Sequence, residues 1–254
     1  MSELLADLRA ETDALEALLT PLTPDRWETP TPAEGWAVRD QVSHLAWFDD
    51  AAALAVADPA AFQALIARAG SVDDLAAESR AMPPPELHAW FRTARARSYE
   101  VFATLDARAR VPWFGPAMSG ASFVTARLME TWAHGQDVAD GLGVAREPSD
   151  RLRHVALLGH RARPFSFAAR GLPVPAEPVR VELVTPGGDP WTAGAPDAAA
   201  VVRGPMLDFC LVVTQRVHLA DTALELTGTA AREWMEIAQA FAGPPGKGRT
   251  PRSG

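Results

Sequence analysis

Three side chains on one short stretch carry groups that bind metals or move protons: Glu130, His134 and Asp137. Steps of four and three residues put them on one face of a helix. Leu128, Thr131 and Val138 border that face on one side, and Ala126, Met129 and Ala133 on the other. A charged stripe inside such a border is partly buried. Unpaired buried charge is costly, so the stripe requires partners or a cation. A Glu and a His four residues apart can both reach one ion, with a third ligand supplied from another helix. His44 qualifies, because it lies mid-helix among Val42, Leu45, Trp47 and Phe48 and should face inward. Spacing alone leaves a second reading open, a core histidine salt-bridged to a glutamate. A carboxylate four residues before a His also occurs at Asp40/His44 and at Asp150/His154. Asp150 reads better as a helix cap.

Three protein ligands on Zn²⁺ leave a position for water or substrate, the arrangement of a catalytic site. Asp40, one turn before His44, is the carboxylate that could close the sphere and make the ion structural or stored. Cys210 is the only cysteine, so an internal disulfide and a multi-thiolate site are excluded. It lies in the apolar run from Leu207 to Val213 and reads as a buried, inert thiol. Any thiol chemistry must therefore arrive with a cofactor.

The elements that position these residues are mostly helices. Leu4, Leu8, Leu15, Leu18, Leu19 and Leu22 recur at three- and four-residue steps and mark a helix ending before Pro24. Thr29 to Trp36 is a Pro/Gly-containing loop. Further helices are expected at 38–56, in one or two short pieces at 58–80, and at 86–105, 122–140 and 149–169, the last irregular near Pro164. Residues 171–178 read as a linker. Strands follow at 179–183, 200–203 and 224–227, with helices at 206–216 and 230–241. The fold class is mainly α: a helical bundle over 1–170, a small α+β domain over 171–242 and a disordered tail over 243–254. The net charge of −8 argues against a phosphate-backbone binder, so no nucleic-acid partner is expected. No run reaches the ~18 apolar residues needed to span a bilayer. The start Met1-Ser2-Glu3-Leu4 lacks a signal-peptide pattern, so no membrane partner and a cytoplasmic location are expected. The oligomeric state is left open.

Two segments carry a family resemblance. Thr31 to Leu45, with the core Gly35-Trp36-Ala37-Val38-Arg39-Asp40-Gln41-Val42-Ser43-His44, resembles the first-ligand motif of the DinB-like metalloproteins. Glu130 to Val138 resembles the second-ligand motif of their mycothiol-dependent maleylpyruvate isomerase branch. Segments Arg163 to Phe167, Gly204 to Cys210 and Thr214 to Arg216 resemble an actinobacterial subgroup, so the likeness covers nearly the whole chain. Lys247 is the lone lysine and asparagine is absent, a bias of high-GC genomes that agrees with such an origin. The resemblance implies a DinB-like four-helix bundle with His44, Glu130 and His134 as ligands of a divalent metal, Zn²⁺ before Ni²⁺ or Fe²⁺. It also implies mycothiol as cosubstrate and Arg216 as the match for an active-site arginine of the isomerase. Residues around Arg216 depart from the isomerase pattern, and a helix C-terminal charge is its other reading. Asp137 could accept a ring N–H of a ligand histidine, or form a surface ion pair. The implied activity is a metal- and thiol-dependent isomerase or S-transferase acting on a small electrophile. The alternatives are a non-catalytic metal-binding protein with a small-ligand or partner module, and a metal–water hydrolase.

Overall fold

The computed structural model describes residues 1–115 and 117–252. The chain divides into two compact units, Met1–Arg146 and Glu147–Gly254. In the first unit, α1 (Ser2–Leu19), α2 (Val38–Ala57), α5 (Pro84–Ala103) and α6 (Gly120–Leu142) form a four-helix bundle. Between α2 and α5 lie the short helices α3 (Pro59–Ile66) and α4 (Val72–Glu78). Helix α2 packs on α5 and α6, and α1 packs on α6 and α5. Leu15, Leu19, Trp27, Val38, Val42, Leu45, Leu87, Phe91 and Val138 share one core cluster. Fully burying such a side chain contributes about 1.5–3 kcal/mol.

The helix that carries His44 starts at Val38 because the Asp40 carboxylate accepts from the Ala37 backbone N–H at 2.8 Å. Helix α6 is capped at its start by Ser119, whose hydroxyl accepts from the Ser122 N–H, and it stops at Gly143 with φ +70°. Between the helices expected at 86–105 and 122–140, β1 (Arg110–Val111) and β2 (Met118–Ser119) pair antiparallel. Pro116 lies outside the described residues.

In the second unit, α7 (Leu152–Arg161) and α8 (Arg163–Ala168) replace the single irregular helix of the sequence reading, with Pro164 in the first turn of α8. The sequence reading puts them in the bundle, whereas α7 packs on α9 (Met206–Val213). The sheet is formed by β3 (Val179–Val184), β4 (Pro190–Ala193), β5 (Ala200–Pro205) and β6 (Glu225–Thr227) in the order β4-β3-β5-β6. Strands β3 and β5 are parallel and the other pairs antiparallel. Val179, Val181 and Leu183 alternate inward along β3, and α10 (Thr229–Ile237) follows β6. Helix α9 ends at Val213, three residues short of the expected Arg216. Residues 243–252 carry no helix or strand, and Ser253 and Gly254 lie outside the described residues. No described helix is long and apolar enough to cross a membrane.

Candidate metal centre

Helices α2 and α6 bring His44, Glu130 and His134 together, each offering a donor atom within 4.8 Å of the others. His134 Nε2 lies 3.0 Å and His44 Nε2 3.3 Å from the same oxygen, Glu130 Oε2. The two imidazole rings are 4.2 Å apart between centroids. Burial, then the neighbouring His134, lowers the His44 pKa to about 4, against the pull of Glu130, so His44 is a neutral donor at pH 7. Burial pushes the Glu130 carboxyl up, but its contacts with His134 and His44 outweigh that and hold it well below the usual carboxylate range.

The orientation of the His134 ring follows from a chain of hydrogen bonds. The Thr31 hydroxyl donates to the Trp36 carbonyl at 2.8 Å. Its oxygen accepts from Gln41 Nε2 at 2.9 Å, which fixes the direction of the Gln41 amide. Gln41 Oε1 then faces His134 Nδ1 at 2.5 Å, and an amide oxygen can only accept. His134 therefore carries a proton on Nδ1. Its Nε2 points at a carboxylate oxygen, a pairing that needs either a proton or a cation between the two atoms. His44 Nδ1 is buried with no hydrogen-bond partner among the described residues, and its Nε2 is the atom that faces the other donors. Two imidazole nitrogens and one carboxylate oxygen suit Zn²⁺, Ni²⁺ or Fe²⁺. The donor set fits a divalent metal ion.

Aromatic rings wall this cluster. Trp36 lies 5.6 Å from the His44 ring and is stacked on His134 at 6.2 Å. Phe48 lies 4.5 Å from His44. Phe114, 39% exposed, contacts Phe48 at 5.4 Å. Trp36 is half-buried against the cluster. Trp132 is buried. Behind this cluster, Asp49 of α2 pairs with Arg95 of α5 at 2.6 Å and faces Arg127 of α6 at 3.5 Å, all three buried. The Arg127 guanidinium lies over the Phe48 and Trp113 rings.

Asp40, the carboxylate that could close the sphere, caps α2 and pairs with Arg80 at 2.8 Å. Asp137 is buried one turn beyond His134, but the Nδ1–H of that ring goes to Gln41. Arg216 lies in the second unit just past α9, where its Nη1 donates to the Thr214 carbonyl at 2.6 Å and its backbone N–H to Leu211 at 2.7 Å. Cys210 is buried and burial pushes its thiol well up, so it is no nucleophile. Gln41, quoted in the sequence reading only as part of a motif, is the polar partner that reading misses. Its signal is position: it shares the inward register of Val38, Val42 and Leu45.

Residues 8–139 match the family model of the mycothiol maleylpyruvate isomerase N-terminal domain. Two uncharacterized proteins, from two strains of Mycobacterium tuberculosis, are each 50% identical over 250 residues, 96% of this chain and 97% of theirs. Among solved structures, the mycothiol-dependent maleylpyruvate isomerase is similar with a TM-score of 0.60 at 16% identity, covering 89% of this chain and 92% of that one. A point mutant of such an isomerase gives 0.57 at 15% identity, covering 85% and 89%. At these identities the two structures speak to the fold.

Proposed function

Because this chain belongs to the mycothiol maleylpyruvate isomerase N-terminal domain family, within the DinB-like superfamily, we propose that it is a metal-dependent enzyme using mycothiol as cosubstrate. Its reaction is isomerisation of, or S-transfer to, a small electrophilic molecule, with His44, Glu130 and His134 as the metal ligands. The observation that carries this reading is the convergence of His134 Nε2 at 3.0 Å and His44 Nε2 at 3.3 Å on one oxygen, Glu130 Oε2. When bound there, a divalent ion supplies a Lewis acid that holds a thiol as thiolate at neutral pH. Zn²⁺ is the expected ion.

The chain's own groups do the rest. His44 stays neutral and keeps Nε2 available, because protonation would bury a charge. Gln41 keeps the His134 proton on Nδ1, away from the donor atom. Glu130 offsets part of the cation's charge. Trp36 and Phe48 line the donors with apolar surface, which strengthens electrostatic interactions at that point. With Asp40 engaged by Ala37 and Arg80, the three-donor set leaves room for an exogenous ligand, which favours an enzyme over a storage protein. With Cys210 buried, the thiol comes from outside. In this reading Arg216 clamps a carboxylate on the substrate or thiol.

The test is substitution with Co²⁺ followed by titration with mycothiol. A new sulfur-to-cobalt charge-transfer band, lost in His44→Ala, supports the reading. Metal retention with no spectral response to the thiol refutes thiol dependence and turns attention to a hydrolase using metal-bound water.

A further inference from the structure

The partner of His134 is an amide where a carboxylate would be the stronger acceptor. Gln41 is fully buried, and both ends of its amide are used: Nε2 on the Thr31 hydroxyl and Oε1 on His134 Nδ1. Thr31 is anchored in turn, its backbone N–H and its hydroxyl both donating to the Trp36 carbonyl at 2.8 Å. Trp36, whose carbonyl ends the chain, also lays its ring on His134. The loop that holds Thr31 sits close on α6. A Cβ added at Gly141 would lie 2.8 Å from the Pro30 carbonyl oxygen and 3.2 Å from Thr31 Cα. The relay therefore runs from the α6 surface, through the loop, to a donor on α6 itself.

We infer that Gln41 is a positioning residue of the metal centre, and that its lack of charge makes the centre select an anionic fourth ligand. The inference rests on the reading that His44, Glu130 and His134 hold a divalent ion. Two neutral imidazoles and one carboxylate leave a divalent ion one net positive charge. A carboxylate at position 41 would hold the same N–H more strongly and would make the His134 ring a better donor, so the ion would bind more tightly. It would also cancel the remaining charge, so an anion would bind less well. Gln41 trades metal affinity for anion affinity. A thiolate is such an anion, and so is any anionic electrophile.

The test uses the full-length protein loaded with Zn²⁺ or Co²⁺, and azide as the anion probe. Gln41→Ala should weaken Zn²⁺ binding by about 10- to 100-fold, measured by competition with a chromophoric chelator. Gln41→Glu, nearly the same shape, should restore Zn²⁺ affinity to the wild-type level or above. It should also weaken azide binding to the Co²⁺ protein about tenfold, read from its visible spectrum. Gly141→Ala, which touches neither a ligand nor Gln41, should weaken Zn²⁺ binding by displacing Thr31. A merely structural role for Gln41 would move metal and azide affinity in one direction in Gln41→Glu, and that outcome overturns the inference. Zn²⁺ affinity unchanged in Gln41→Ala overturns it too and leaves the proposed function standing. A wild-type protein that binds no divalent ion overturns both.

Discussion

Removing Asp49 should destabilise the bundle far more than removing its neighbour Asp50. Asp49 is fully buried, and it is the carboxylate that faces two buried guanidiniums, Arg95 Nε at 2.6 Å and Arg127 Nε at 3.5 Å. Arg95 also donates to Thr12 of α1 and Thr131 of α6, so Asp49 sits where α1, α2, α5 and α6 are tied together. Breaking a buried pair by deleting one partner costs about 3–5 kcal/mol, because the other charge is left in an apolar interior. Asp49→Ala strands two such charges, which places it at the upper end of that range, against a usual total of about 5–15 kcal/mol for folding. Asp50 pairs with Arg97 on side chains 33% and 57% exposed and accepts from Trp90 Nε1 at 2.8 Å. The exposed ion pair contributes about 0–1 kcal/mol and the hydrogen bond about 1 kcal/mol. Urea unfolding of the metal-free protein at pH 7 separates the two cases. The double change Asp49→Ala/Arg127→Met should recover part of the loss, since it removes one stranded cation. A cost for Asp49→Ala no larger than that for Asp50→Ala would refute the reasoning.

Acid should weaken the metal-free protein between about pH 6.5 and pH 4, because folding holds the His44 pKa down at about 4 against an ordinary 6.5. The unfolded chain takes up this proton as pH falls through 6.5 and the folded chain only near 4, so stability present above that window falls by about 3 kcal/mol across it. The slope of the urea midpoint against pH should flatten in His44→Gln, and an equal slope in both proteins would count against it. The Glu130 contribution, with a depressed carboxyl, is lost only at lower pH, below about 4.5. Trp36 stacks on His134, so Co²⁺ binding should quench tryptophan emission, and Trp36→Phe should remove most of that quench. A full quench in Trp36→Phe would assign it to another of the eight tryptophans. Cys210 should resist alkylation by iodoacetamide at pH 8 in the folded protein and react on unfolding in urea, as mass spectrometry would show; rapid native labelling would contradict its burial.

Much of the bundle was legible because its signal is periodic. The expected helices at 38–56 and 122–140 correspond to Val38–Ala57 and Gly120–Leu142, and the strand at 179–183 to Val179–Val184. Strand β4 was not legible: it is four residues long, begins at Pro190 and buries no side chain, so it exists through its pairing with β3. The residues available for a metal could be read, since Glu130 and His134 lie four apart and His44 sits among apolar residues. Their surroundings could not be read from residue type, which sends charged and amide side chains outward by default. Position is the better guide. Arg95 falls in the buried register of Leu87, Phe91, Ala94, Ser98 and Phe102, and Arg127 in that of Phe123, Val124, Leu128 and Thr131. Gln41 follows the same logic on α2. A polar residue locked into an apolar register marks a buried network, and here the networks lie directly around the candidate ligands.

The most direct measurement of the central claim is the metal content of the purified protein by elemental analysis, compared with His44→Ala, Glu130→Gln and His134→Ala variants that retain wild-type circular dichroism. The account predicts one divalent ion per wild-type chain and its loss in each variant. Full metal content in any of the three variants, or a wild-type protein that takes up none when supplied with Zn²⁺, would contradict it.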